Sequence, residues 1–169
     1  ASPKASSELR LEAAEGLLRV AEAQAKPGMP NLGLTEPAYQ NLGKALKLAQ
    51  GVGGEAGRVL TVHILLDRAR LNSFARNDVK GALADLARAG KILGKPHGRP
   101  DFLRAQYLIE LSIAQQWDSN YSDAMLSARS AIAYLPRDNE RDHVVAHSTA
   151  LDLYAEAVYY SINEKQSLK

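Results

Sequence analysis

Three stretches of the chain put small residues on one helical stripe at a regular distance. In NDVKGALADLARAGKI, Asn77 to Ile92, the stripe is Ala82, Leu86 and Ala89. In SNYSDAMLSARSAIAY, Ser119 to Tyr134, it is Ala124, Ala128 and Ala131, 42 residues later. TEPAYQNLGKALKL carries Ala38, Leu42 and Ala45, 44 residues before the first of these. Positions i, i+4 and i+7 share a face of an α-helix. Small residues there let a neighbouring helix approach to the short end of the usual range of about 8–10 Å. A helix pair of this kind keeps one apolar side uncovered, and stacking the next pair buries it.

Helix boundaries follow from the residues that cannot continue a helix. Helical periodicity runs from Ser7 to Ala25, where Leu9, Ala13, Leu17, Val20 and Ala21 mark a face, and KPGMPNLGL ends it. A second helix starts at Thr35, read as its N-cap, with Pro37 in the first turn, and stops at GVGG (Gly51–Gly54). The third spans Glu55–Arg76, the fourth runs from its cap Asp78 to Leu93, and GKPHGRP follows. The fifth covers Asp101–Trp117, the sixth ends at Pro136, and RDNERD caps a seventh over Glu140–Asn163. Neither hairpin dipeptides nor sustained alternation of apolar and polar residues is present, so the chain is expected to be all-α. Short connections make consecutive helices antiparallel neighbours.

Alanine and leucine dominate, and aromatics make up only 6% of the chain, which favours closely packed helices over a sandwich of strands. Without cysteine there is no disulfide or thiolate metal site. No apolar run reaches the roughly 18 residues of a membrane span. The formal net charge of +2 conceals an asymmetry: residues 58–104 carry +6 and residues 105–169 carry −4.

The repeated helix resembles the second helix of the tetratricopeptide repeat. The resemblance rests on the entry residues Val79 and Tyr121, the alanine pairs Ala82 with Ala89 and Ala124 with Ala131, and the closing Pro136. Leu108, Leu111, Ser112 and Ala114 agree in part with its first helix, whereas Arg70 replaces a small residue and Gln115 a tyrosine. The spacing exceeds the usual 34 residues. It is similar to the long-repeat branch seen in kinesin light chains and in regulatory domains of some bacterial transcription activators. The resemblance covers about residues 35–160. It implies a single domain over 1–169, a right-handed superhelical array of antiparallel helix pairs with about seven helices. The pairs are 7–50, 55–93 and 101–136, with a final helix over 140–163.

In that family the first helix of each pair lines a concave groove. On that analogy Ile64, Asp67, Leu71 and Phe74, then Gln106, Ile109, Ile113, Gln116 and Trp117, line the groove here. The expected function is a scaffold that holds a peptide segment or partner subunit. The alternative is a ligand-sensing regulatory domain of a larger bacterial signalling or transcription-regulating protein. The final helix carries Val158, Tyr159 and Tyr160 near its end, so it is expected either to self-associate or to be followed by further chain.

No residue constellation asks for an enzyme or a cofactor. His143 and His147 stand one turn apart, with Asp142 and Asp152 near, but Val144 occupies the place of the glutamate that a zinc-protease helix requires. His63 and His97 are isolated. GVGG lacks the lysine and the preceding strand of a phosphate loop. Asp67 with Arg70 and Asp85 with Arg88 read as i, i+3 ion pairs. Nucleic-acid binding is not expected. Arg68, Arg70, Arg76, Lys91, Lys95, Arg99 and Arg104 are interleaved only with Phe74 and Phe102.

Overall fold

The computed structural model describes residues 3–95 and 100–167. His97 and Arg99, in the link after the fourth helix, lie outside them. The described chain is all-helical and contains no strand: α1 (Pro3–Ala25), α2 (Thr35–Gln50), α3 (Gly54–Phe74), α4 (Val79–Leu93), α5 (Phe102–Trp117), α6 (Tyr121–Tyr134) and α7 (Arg141–Ser167). None of these helices is long and apolar enough to cross a membrane. Contacts gather into two compact units, Ala1–Ile92 and Leu93–Lys169, divided at the end of α4.

All nine positions of the repeated stripe are buried. Ala38, Leu42 and Ala45 on α2, Ala82, Leu86 and Ala89 on α4, and Ala124, Ala128 and Ala131 on α6 are at most 3% exposed. The closeness this permits is visible between α5 and α6, where the buried Ser112 hydroxyl donates to the backbone carbonyl of Ala124 at 2.9 Å. A side chain as short as serine reaches a neighbouring backbone only where no larger residue holds the helices apart. The Asp101 N–H donates to the Tyr134 carbonyl at 2.9 Å, so the start of α5 meets the end of α6 and the two run antiparallel.

In the first unit α1 packs on α2 and both contact α3. α1 turns inward only one edge of the face its sequence suggests, with Ala21 buried and Leu17 half-buried. Ala14, Ala21 and Ala25 are buried, whereas Leu9 and Val20 are 67% and 48% exposed and Ala13 lies outside with them. Apolar residues occur nearly all round this helix, so more than one stripe fits its period, and close approach selects the alanine stripe. Asn41 of α2 donates to Gln24 of α1 at 2.9 Å. Arg68 of α3 grips the buried Asp85 of α4 through two hydrogen bonds, and Arg88 lies 3.5 Å from the same carboxylate.

The turn that precedes the repeated helix also recurs. Asn77 and Ser119, 42 residues apart, both adopt the left-handed conformation, with φ of 53° and 59°. Each is followed by an N-cap: Asp78 accepts from the Gly81 N–H at 2.9 Å, and Asn120 accepts from the Asp123 N–H at 3.3 Å. At α2, by contrast, Thr35 is already helical and Leu34 occupies the cap position without a side-chain bond.

In the second unit α7 packs on α6 and α5. Ala105, Ile109, Ile113, Ala131, Leu135 and Ala150 form the buried cluster there. Arg104, 5% exposed, donates to the carbonyls of Leu93, Gly94 and Lys95 at 2.9–3.4 Å and holds that segment to the start of α5.

Candidate interaction surfaces

The residues read as a groove separate into those that build cores and those that reach the surface. Ile64 and Leu71 are 0% and 2% exposed within the first unit. Ile109 and Ile113 are buried in the α5–α6–α7 cluster. Gln116 donates its side-chain N–H to the Leu153 carbonyl at 3.1 Å, tying α5 to α7. The Gln106 side-chain oxygen is buried without a hydrogen-bond partner. Phe74 and Trp117 are 48% and 51% exposed, each the last residue of its helix, α3 and α5. The aliphatic part of the expected groove is therefore interior, and its aromatic ends are surface.

Asp67 borders a crevice where α1 meets α3. Lys26 is ion-paired with Glu22 and lies 3.8 Å from Asp67, with Arg70 on the same rim. Burial, with the nearby charge of Lys26, holds His63 below the ordinary histidine pKa, so its ring favours the neutral form. The crevice floor is Ala21, Ala25, Leu42 and Leu71, and its free space of about 10 Å³ holds roughly one water molecule. A roomier depression of about 320 Å³ opens between the end of α2, the start of α3 and Ile92 of α4. Its wall is tight at Gly57, where an added Cβ would lie 2.3 Å from the Val52 carbonyl oxygen.

Arg68 and Arg76 of the basic middle segment are engaged internally. Arg68 holds Asp85, and Arg76 pairs with Glu36 while its guanidinium lies 3.9 Å from the Tyr39 ring centroid. Beside them Asn72, 1% exposed, leaves both polar side-chain atoms unpaired. Nothing in the sequence pattern singles out Asn72, because its period matches the apolar face of α3.

The two histidines of HVVAH do not converge on a common ligand. His143 Nδ1 lies 2.8 Å from Asp138 Oδ1 and 3.6 Å from Glu140 Oε2, with its ring edge-on to Phe102 at 4.5 Å. His147 Nε2 instead meets the Pro136 carbonyl at 3.2 Å. The hydrogen bond from His143, followed by one from the Glu140 N–H, holds the Asp138 carboxyl below its usual range. Both imidazoles brace the turn between α6 and α7. Asp138 and Glu140, rather than Asp142 and Asp152, complete the cluster around His143.

Among the described residues, the most extensive apolar surface on a single helix belongs to α7. Val144, Val145, Leu151, Tyr159, Tyr160 and Ile162 are each between 46% and 63% exposed. Sequence reading reached only Tyr159 and Tyr160 of these, together with the half-buried Val158. The usable signal was Ala150 and Ala157: two small residues seven apart mark the docked side and leave Val144 and Leu151 roughly a third of a turn away from it. Comparison with protein-family models, curated proteins and solved structures finds no match.

Proposed function

We propose that the chain is a protein–protein interaction module, a scaffold whose helix pairs stack as a right-handed superhelical array of the tetratricopeptide kind. The recurrence of stripe, left-handed turn residue and cap in α4 and α6 supports that stacking. One observation carries the functional reading: the chain keeps alanine inside and many of its large apolar residues outside. Among the described residues, sixteen of the 29 buried hydrophobics are alanine. Leu9, Phe74, Trp117, Leu126 and Leu151 remain about half exposed or more. Large side chains with about half or more of their surface exposed, on α1, α6 and α7 and at the ends of α3 and α5, suit contact with another protein.

A photo-crosslinking amino acid at Trp117 or Phe74 is expected to link the full chain to one and the same host protein. The same group at Glu12, exposed on the polar side of α1, should not. Equal labelling from all three positions, or none from Trp117 and Phe74, overturns the reading. The alternative, a ligand-sensing regulatory domain, is favoured by the 320 Å³ depression, a volume in the range of small-molecule sites. It requires a small molecule that raises the melting temperature, with the shift lost in Ile92→Trp, which fills that space.

A further inference from the structure

The outer face of α7 combines an apolar stripe with an acidic flank. Ala150 and Ala157 are fully buried and fix the side that docks on the rest of the unit. Roughly a third of a turn round the helix from them, Val144, Leu151 and Ile162 are 51%, 54% and 51% exposed, and Ala155 is exposed between them. Steps of seven, four and seven residues keep these four on one line, roughly 27 Å long at 1.5 Å per residue. Asp152 and Glu156 each follow a stripe residue by one position and stand one turn apart, so both carboxylates border the same edge. At the C-terminal end the stripe meets a fixed aromatic group. Tyr159 lies edge-on to Tyr160 at 5.3 Å, and Tyr160 stacks on Tyr121 of α6 at 5.1 Å.

We propose that this face docks an amphipathic helix of another protein, one with an apolar stripe and lysine or arginine along the matching edge. The choice of occupant follows from charge. From Arg141 to Asn163 the sequence carries Asp142, Asp152 and Glu156 against a single arginine, Arg141, about 16 Å along the helix from Asp152. An antiparallel second copy centred on the stripe sets Asp152 and Glu156 beside their own equivalents. A parallel copy leaves them facing the uncharged Tyr154 and Val158. The same carboxylates disfavour an anionic membrane surface. A basic helix satisfies both the stripe and the flank.

The proposal rests on the reading of the chain as an interaction module, and its test is separate from the crosslinks at Trp117 and Phe74. Two labelled 18-residue amphipathic peptides share one leucine stripe, and one has lysine along the flank where the other has glutamate. Anisotropy titration of the full chain at low salt should show the lysine peptide binding at least about tenfold more tightly. The double variant Asp152→Lys/Glu156→Lys should reverse that preference, and Leu151→Asp, at an exposed site and with an unchanged circular dichroism spectrum, should abolish binding of both. Equal binding of the two peptides, binding of neither, or a preference unchanged by the charge reversal overturns the proposal. So does sedimentation showing a dimer that Leu151→Asp dissociates, because the occupant is then a second copy.

Discussion

Asp85 is a buried carboxylate between two guanidiniums, and its removal leaves Arg68 with a charge that little solvent can reach. Asp85→Ala should therefore lower the unfolding free energy by about 3 kcal/mol, while Arg68→Met/Asp85→Leu recovers most of that loss, as read from urea denaturation. His63 gives the residue scale its pH dependence. Its folded pKa lies below the unfolded value, so between the two the unfolded chain binds more protons and stability rises with pH. The contribution is complete above the ordinary histidine pKa of about 6.5 and is lost as pH falls from there toward the folded pKa. Denaturation midpoints measured from pH 7.5 to 5.5 should decline in the parent, and His63→Gln should decline less steeply. Glu22 and Lys26, the charged groups that act on His63, stay the same in both proteins.

At the scale of the element, the start of α4 couples two residues whose effects change sign together. A Cβ on Gly81 would lie 2.2 Å from the Asp78 carboxylate that caps the helix. Gly81→Ala should destabilise by up to about 1 kcal/mol, because the cap is displaced and the gain in helix propensity only partly offsets it. In an Asp78→Ala background the obstacle is gone, and the same substitution should stabilise by about 0.5–1 kcal/mol in thermal or urea unfolding. Helix ends were readable in the sequence because prolines, glycines and caps act within a few residues of themselves. Asp78 was legible for that reason, and Thr35 was misplaced by one position. The inward face of α1 was not legible, since it depends on which stripe α2 can approach. Nor was the status of Ile64, Leu71, Ile109 and Ile113 legible. An aliphatic stripe on the first helix of a pair has the same period whether it lines a groove or fills a core.

For the molecule as a whole, the alanine stripes inside and the exposed leucines outside reverse the usual consequences of mutation at those positions. Enlarging an interior residue, as in Ala128→Leu, should cost about 1–3 kcal/mol, because the α5–α6 approach leaves no room for three more carbons. Shrinking and polarising an exposed one, as in Leu126→Ser, should change stability by less than about 0.5 kcal/mol. Parallel chemical denaturation of the two variants distinguishes them. The alanine interior also sets how the fold responds to heat. The heat capacity of unfolding grows with the apolar area that unfolding exposes, and a methyl group hides little of it. Compared with a leucine-filled interior of equal length, this one gives a broader and flatter stability curve, with a gentler loss of stability on either side of its maximum.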